Sequence, residues 1–332
     1  MKILFLIPVH EKNEIVDDVI RNIQKYNPND ECYFCLIVDN AFKQFDFNYF
    51  SSVKNVIITE KENRDYGIEK LQKYITQIKP IICAYEFVKD KIDFEYVVIF
   101  HTSQLFVRTG FSNYIKNYET SLRPREWYLQ NRFIVPYEKW TLNENCWNDT
   151  LKQLPKIIGK VLKWNCMFQM KTSSNFLIEE ISKDYEKKFP YAFTPIFEME
   201  ILKNILLDYK NMNSYHYQCV EESFYRKNIF DFVVENIKNN LTVSLDVLSD
   251  FFSYANVEEI LIPTLSNFKS KFVGNNTLYW IDNNEASDIH YWTERIDSNF
   301  SGTMKDYHFT VKSVPRNIQH PLREVIRHKL LS

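Results

Sequence analysis

Apolar positions in the first hundred residues come in two alternating rhythms. The run KILFLIPV at positions 2–9 is apolar almost throughout, as expected of a strand covered on both faces. The next stretch, KNEIVDDVIRNIQKYN (12–27), places Ile15, Val19, Ile20 and Ile23 at helical spacing. YFCLIVDN (33–40) returns to the strand pattern, NVIITEK (55–61) repeats it more briefly, and YVVIF (96–100) closes the series. Between the last two, residues 68–91 carry a long helical pattern interrupted by Pro80. Strands alternating with helices predict an α/β fold: a Rossmann-type, mostly parallel sheet flanked by helices.

The pattern loosens from Phe106 to about Asn165, where Trp127, Trp140, Trp147 and Trp164 mix with polar residues. Residues 176–240 read as largely helical, NTLYWID (276–282) as a strand, and HPLREVIRHKLLS (320–332) as a terminal helix with a basic face. No internal repeat or low-complexity linker divides the chain, so residues 1–332 are expected to form a single elaborated domain.

Composition narrows the options. A net charge of -2 offers no global basic field for nucleic acid. The longest apolar runs fall far short of the ~20 residues needed to span a bilayer. The amino-terminal run passes straight into the charged HEKNE without a small-residue cleavage site, so a cytoplasmic protein is expected. The 5 glycines lie far apart, with none within six positions of another, which rules out GxGxxG and the Walker P-loop. Cys32 and Cys35 form a CxxC inside an apolar run with no second pair to complete a zinc site; they read as reduced core residues.

Candidate chemistry gathers where strands end, because the carboxyl ends of parallel strands line the ligand crevice of such folds. His10 and Glu11 follow the first strand, and Asp39 and Asn40 end the second. They face a ligand there, or they merely cap strands and open helices. At the tip of the fourth strand a nucleotide-sugar enzyme would be expected to carry a metal-binding Asp-x-Asp. The chain offers His101, Thr102, Ser103 and Gln104 instead. Such a ligand is therefore not bound, or is bound without a metal.

Later, YANVEEILIPTL (254–265) presents Glu258 and Glu259, although Asn256 with Glu259 is also the spacing of a capping box. Pro263 suits the first turn of a helix better than its interior. Doubled Glu recurs at Glu179–Glu180 and Glu221–Glu222, so the doublet alone is not diagnostic. Lys312 and Arg316 border a strand-like run, with Arg323, Arg327 and Lys329 following on the helix. Clustered cations suit a pyrophosphate. The alternative is a solvated basic face resting on anionic lipid at the inner surface of the cell membrane.

Four segments, in this order, resemble the core-2/I-branching N-acetylglucosaminyltransferase and peptide xylosyltransferase family, in a bacterial form. KILFLIPVHEKNEIVDDVIRNI with CLIVDN is similar to the family's opening strand, helix and second strand. VVIFHTSQLFVRTGF resembles its LSGQDYPL-type segment, VEEILIPTL its PDExxxxTL segment, and LYWID, HYWTERID and HFTVKSVPR its late WxxxxSPxxL and FARKF segments. Two departures stand out: VEE replaces PDE, and HTSQLF lacks the family's acidic residue.

The resemblance implies a GT-A-like fold and an inverting, metal-independent glycosyltransferase without a cofactor. Residues 1–105 would bind the nucleotide-sugar, most simply a UDP-sugar, and residues 106–332 the acceptor. Glu259 would be the general base, with Glu258 or Glu222 as alternatives. Lys312 would sit on the donor diphosphate with Arg295 (Lys305 as rival) and Arg316. His10, Glu11, Asp39 and Asn40 would border the nucleotide. Ser103 and Gln104 would meet acceptor hydroxyls, and Trp127, Trp140 and Trp164 would stack on acceptor sugars or fill the core. The acceptor would be a glycan or lipid-linked glycan of capsule or lipopolysaccharide synthesis. Two rivals remain: a metal-dependent transferase using Asp46, Asp93 or Glu95, and a non-catalytic nucleotide- or carbohydrate-binding protein on the same fold.

Overall fold

The computed structural model describes residues 1–38, 44–59, 77–122, 220–240, 258–281, 288–297 and 304–328. The main sheet is built from β1 (Lys2–Val9), β2 (Glu31–Val38), β3 (Val56–Ile58), β4 (Tyr96–Ile99), β6 (Thr120–Leu122), β7 (Phe224–Arg226) and β8 (Val273–Asn275). Its order is β3-β2-β1-β4-β7-β6-β8. β1 pairs in parallel with β2 and β4, and β2 with β3; β7 runs antiparallel to β4 and β6, and β8 parallel to β6. A second, small sheet joins β5 (Gln104–Phe106), β9 (Leu278–Trp280) and β10 (Thr310–Lys312). In it β10 is central, antiparallel to β5 and parallel to β9. The fold is α/β, with a mostly parallel sheet flanked by helices.

The two-residue period of the strands divides the core in two. Ile3, Phe5, Ile7 and Val9 of β1 pack on one side with Val16, Val19, Ile20 and Ile23 of α1 (Asn13–Tyr26). Leu4 and Leu6 pack on the other with Ile78, Ile81, Ile82 and Tyr85 of α3 (Ile78–Val88). α2 (Phe47–Ser52), α4 (Phe111–Ile115), α7 (Ile289–Asp297) and α8 (Pro321–His328) each place a residue in the first core. α5 (Lys227–Glu235) and α6 (Glu258–Lys269) supply the second. Burial on both faces is why β1 and β2 read as unbroken apolar runs. Each fully buried aliphatic or aromatic side chain contributes on the order of 2 kcal/mol. Cys32 and Cys35 lie inside β2 as buried free thiols, and burial pushes both up to about 12. Among the described residues no helix is long and apolar enough to cross a membrane.

Three local features differ from the sequence reading. Pro80 does not interrupt a helix: it is the third residue of α3, in the first turn, where no N–H partner is needed. Phe224–Arg226 lies in a stretch read as helical but forms β7, because three residues cannot display a period. Phe224 and Tyr225 point to opposite cores and pair with Val98 and Val97 of β4. Pro263 stands sixth in α6 rather than in its first turn, so it leaves the Glu259 carbonyl without the usual helical donor.

The terminal helix also departs from expectation. Its two arginines converge on one buried carboxylate, Asp18, with Arg323 fully buried and Arg327 35% exposed. Arg323 donates through Nη1 to Asp18 Oδ2 at 2.6 Å, while Arg327 Nε donates to Asp18 Oδ1 at 2.6 Å. Leu322 and Ile326 fill the first core, and Tyr26 Oη donates to the Ile326 carbonyl at 3.0 Å. The burial of Arg323 removes one cation from the expected basic face; Lys329 lies outside the described residues.

Arg323→Met should lower the unfolding free energy by about 3–5 kcal/mol, because it strips a buried carboxylate of one of its two cations. Urea titration should show a lower midpoint at unchanged slope. A loss under ~1 kcal/mol would show that Arg327 alone satisfies Asp18.

Candidate functional site

Three strand ends converge. β1 delivers His10 and Glu11, β4 delivers the turn from His101 to Ser103, and β10 delivers Lys312 and the segment to Arg316. Strand pairing sets them side by side, since Lys312 lies opposite Gln104 in the β5–β10 register. The Val314 N–H donates to the Ser103 carbonyl at 3.1 Å. Asn22 of α1 holds β5 from below, accepting from the Phe106 N–H at 2.7 Å and donating to its carbonyl at 3.0 Å. Arg323 spans both segments, with Nε donating to the Pro315 carbonyl at 2.7 Å and Nη2 to the Thr102 carbonyl at 3.4 Å.

Within this frame the polar side chains form a connected set. The His101 N–H donates to Gln104 Oε1 at 2.6 Å and closes the turn. His101 Nε2 lies 3.1 Å from Gln77 Oε1, which fits an imidazole carrying its proton on Nε2. It is also 4.0 Å from Glu221 Oε1. The backbone N–H of Gln77 donates to Glu258 Oε2 at 3.1 Å, so the start of α6 reaches the same place. Lys312 Nζ forms an ion pair with Glu221 Oε1. Arg316 Nε is 2.7 Å from Glu11 Oε1, and His10 Nε2 is 3.5 Å from that oxygen. The His10 and His101 rings meet edge to face at 6.4 Å.

Burial pulls His101 down to about 4, against the opposing pull of Glu221; Lys312, His10 and Arg316 lower it further. The imidazole is therefore neutral near pH 7. Lys312 and Arg316 are each paired with a carboxylate, and Glu258 adds a third carboxylate to the set. Backbone strain flanks the central ion pair. Glu222 beside Glu221 has φ 54°, and Ser313 beside Lys312 has φ 72°, both left-handed conformations that cost a non-glycine residue energy.

Of the sequence candidates, His10, Glu11, Ser103, Gln104, Lys312 and Arg316 come together here, with Glu258 and Glu222 at the margin. Gln104 is fully buried, and its Oε1 is committed to the His101 turn. Glu222 is fully buried and accepts from Thr277 Oγ1 at 2.7 Å. Asp39, Asn40, Trp127, Trp140, Trp164 and the side chains of Glu259 and Arg295 lie outside the described residues. Lys305 sits in a separate turn, its N–H donating to His308 Nδ1 at 3.0 Å. The acidic residues of the rival metal reading serve local structure. Asp46 caps α2 by accepting from the Tyr49 N–H at 2.9 Å. Asp93 and Glu95 bind Lys2, at the opposite end of the sheet. Among the described residues no three His, Cys, Asp or Glu side chains converge as a metal-ligand set.

Sequence reasoning missed Glu221, Gln77 and the bridging role of Arg323. Glu221 carried one faint signal, its place in a doubled Glu. Its partner Lys312 stands 91 residues away, so no local pattern could have joined them.

No family model and no curated protein sequence matches the chain. Among solved structures, it is similar to the galactosyltransferase LgtC in complex with donor and acceptor sugar analogues. The identity is 7% and the TM-score 0.40, over 99% of this chain and 95% of that one. An active-site mutant of LgtC gives 9% identity and a TM-score of 0.36, over 99% of this chain and 95% of that one. The apo form of mouse xyloside xylosyltransferase 1 gives 9% identity and a TM-score of 0.27, over 94% and 97%.

Proposed function

We propose that the protein is a GT-A-type glycosyltransferase that moves a sugar from a nucleotide-sugar, in our reading a UDP-sugar, to a hydroxyl of a glycan acceptor. One observation carries the reading. The β5–β10 pairing brings Lys312 and Arg316 to the carboxyl ends of β1 and β4, where ligands of parallel α/β sheets bind and where the β4 tip carries no carboxylate. His10 and Glu11 at the end of β1, with Asp39 and Asn40 after β2, would border the nucleotide. Lys312 and Arg316, with Arg295 as a further cation, would neutralise the departing diphosphate by fixed positive charge rather than through a metal ion.

The reaction inverts the anomeric centre. Glu259 accepts the proton of the acceptor hydroxyl as that oxygen attacks the anomeric carbon and the nucleoside diphosphate leaves. Such base catalysis is worth on the order of 100- to 10,000-fold. In support, α6 starts at Glu258, whose carboxylate takes the Gln77 N–H while the Gln77 side chain meets His101. His101 acts as a neutral hydrogen-bonding group of the cleft wall. Ser103 is the candidate contact for the acceptor. Synthesis of a surface polysaccharide is the setting the reading implies.

Lys312→Ala should lower kcat about 100-fold at saturating donor, the cost of losing one stabiliser of the leaving group. Steady-state kinetics with a UDP-sugar panel would show it, and an effect confined to KM would assign Lys312 to ground-state binding alone. Glu259→Gln should abolish transfer while calorimetry still detects nucleotide binding; near-full activity would move the base to Glu258. Transfer should survive EDTA.

His101 makes stability depend on pH. Its unfolded value is about 6.5 and its folded value about 4, so stability is intact above 6.5 and falls as pH drops toward 4. Between pH 7 and 4.5 the wild type should lose about 2–3 kcal/mol more than His101→Gln in urea unfolding. Equal losses would show that the imidazole is solvated in the folded state.

A further inference from the structure

The two cations assigned to the donor diphosphate are already occupied. Lys312 Nζ is paired with Glu221 Oε1, and Arg316 Nε is 2.7 Å from Glu11 Oε1. Neither carboxylate is a loose surface group: the side chains of Glu221 and Glu11 are 9% and 12% exposed, and that of Lys312 is 12%. They come from chain segments remote from their partners, Glu221 from the approach to β7 and Glu11 from the exit of β1. Each offers a cation the same kind of anionic oxygen that a phosphate would. The left-handed residues Glu222 and Ser313 stand next to the two members of the inner pair. Strain of that kind clusters at ligand clamps and switch regions, where the surrounding structure holds it.

We infer that Glu221 and Glu11 are internal stand-ins for the donor's phosphates: the diphosphate binds by displacing both carboxylates from Lys312 and Arg316. The inference rests on the reading of those cations as diphosphate ligands. It adds that each cation is already compensated in the resting site, which keeps a nearly buried ammonium from standing alone. An arriving diphosphate makes an exchange of one ion pair for another. Its apparent affinity is reduced by the fraction of molecules in which the internal pairs are closed. Monoanions, which cannot replace two carboxylates at once, are poor competitors. The displaced Glu221 moves toward His101, whose Nε2 is already 4.0 Å from its Oε1.

Calorimetric titration with inorganic pyrophosphate at constant ionic strength tests this on wild type, Glu221→Gln, Glu11→Gln and Glu221→Gln with Lys312→Met. Each single carboxamide variant should bind pyrophosphate about tenfold tighter than wild type, and Lys312→Met should cancel the gain in the double variant. Pyrophosphate should also raise the Tm of Glu221→Gln more than that of wild type. Unchanged or weaker binding in a folded Glu221→Gln or Glu11→Gln would overturn the inference, because a purely structural ion pair predicts lost stability and no gain in anion affinity. Should Glu221→Gln fail to fold, Glu11→Gln alone decides. A UDP-sugar titration separates the two readings. If wild type binds UDP-sugar but neither variant gains, the donor site stands and the stand-in falls. If the variants gain pyrophosphate but none binds any nucleotide-sugar, the reverse holds.

Discussion

One buried guanidinium ties α1 to the loops that follow β4 and β10. Arg323 is removed from water, yet it spends its donors on Asp18 of α1, on the Thr102 carbonyl at the tip of β4 and on the Pro315 carbonyl after β10. A charge in that position is tolerable only because it is paired and hydrogen-bonded at once. The consequence is geometric. The two loops that carry His101 and Arg316 cannot move independently of each other or of α1, so the site inherits the rigidity of the first core.

That rigidity makes the charge arrangement above it possible. Lys312 and Arg316 reach the site on one segment and Glu11 and Glu221 on two others, and the nearly buried Lys312, Glu11 and Glu221 each need an opposite charge within contact distance. Neutral His101, closed into its turn by Gln104 and touched by Gln77, lines the same space without adding charge. The site is polar, its two cations are each paired with a carboxylate, and two strained residues flank it, a combination suited to exchanging internal partners for those of a ligand. The mostly apolar sheet beneath supplies none of this chemistry; it only fixes where the strand ends lie.

The fold was legible wherever a period had room to repeat. Eight-residue β1 and β2, buried on both faces, announce themselves as apolar runs, and the spacing of Ile15, Val19, Ile20 and Ile23 marks α1. Three-residue β7 could not, and its stretch read as helix. The site was legible in part for the same reason. Residues that follow long strands, such as His10 and Glu11, could be placed at the carboxyl end of the sheet from the chain alone. Gln104 looked like a ligand contact because its burial depends on a register that no local pattern encodes.

By itself, then, the order of apolar and polar residues determined the α/β character, the parallel strands at the amino-terminal end and the absence of glycine-rich phosphate loops. These are local properties, set within ten or twenty residues by periodicity and by the conformational freedom that only glycine has. Only the tertiary structure decided the pairing of charges. Glu221 finds Lys312 across 91 residues, and Asp18 finds Arg323 across 305. Coulombic attraction and burial depend on distance in space, and the sequence records only distance along the chain.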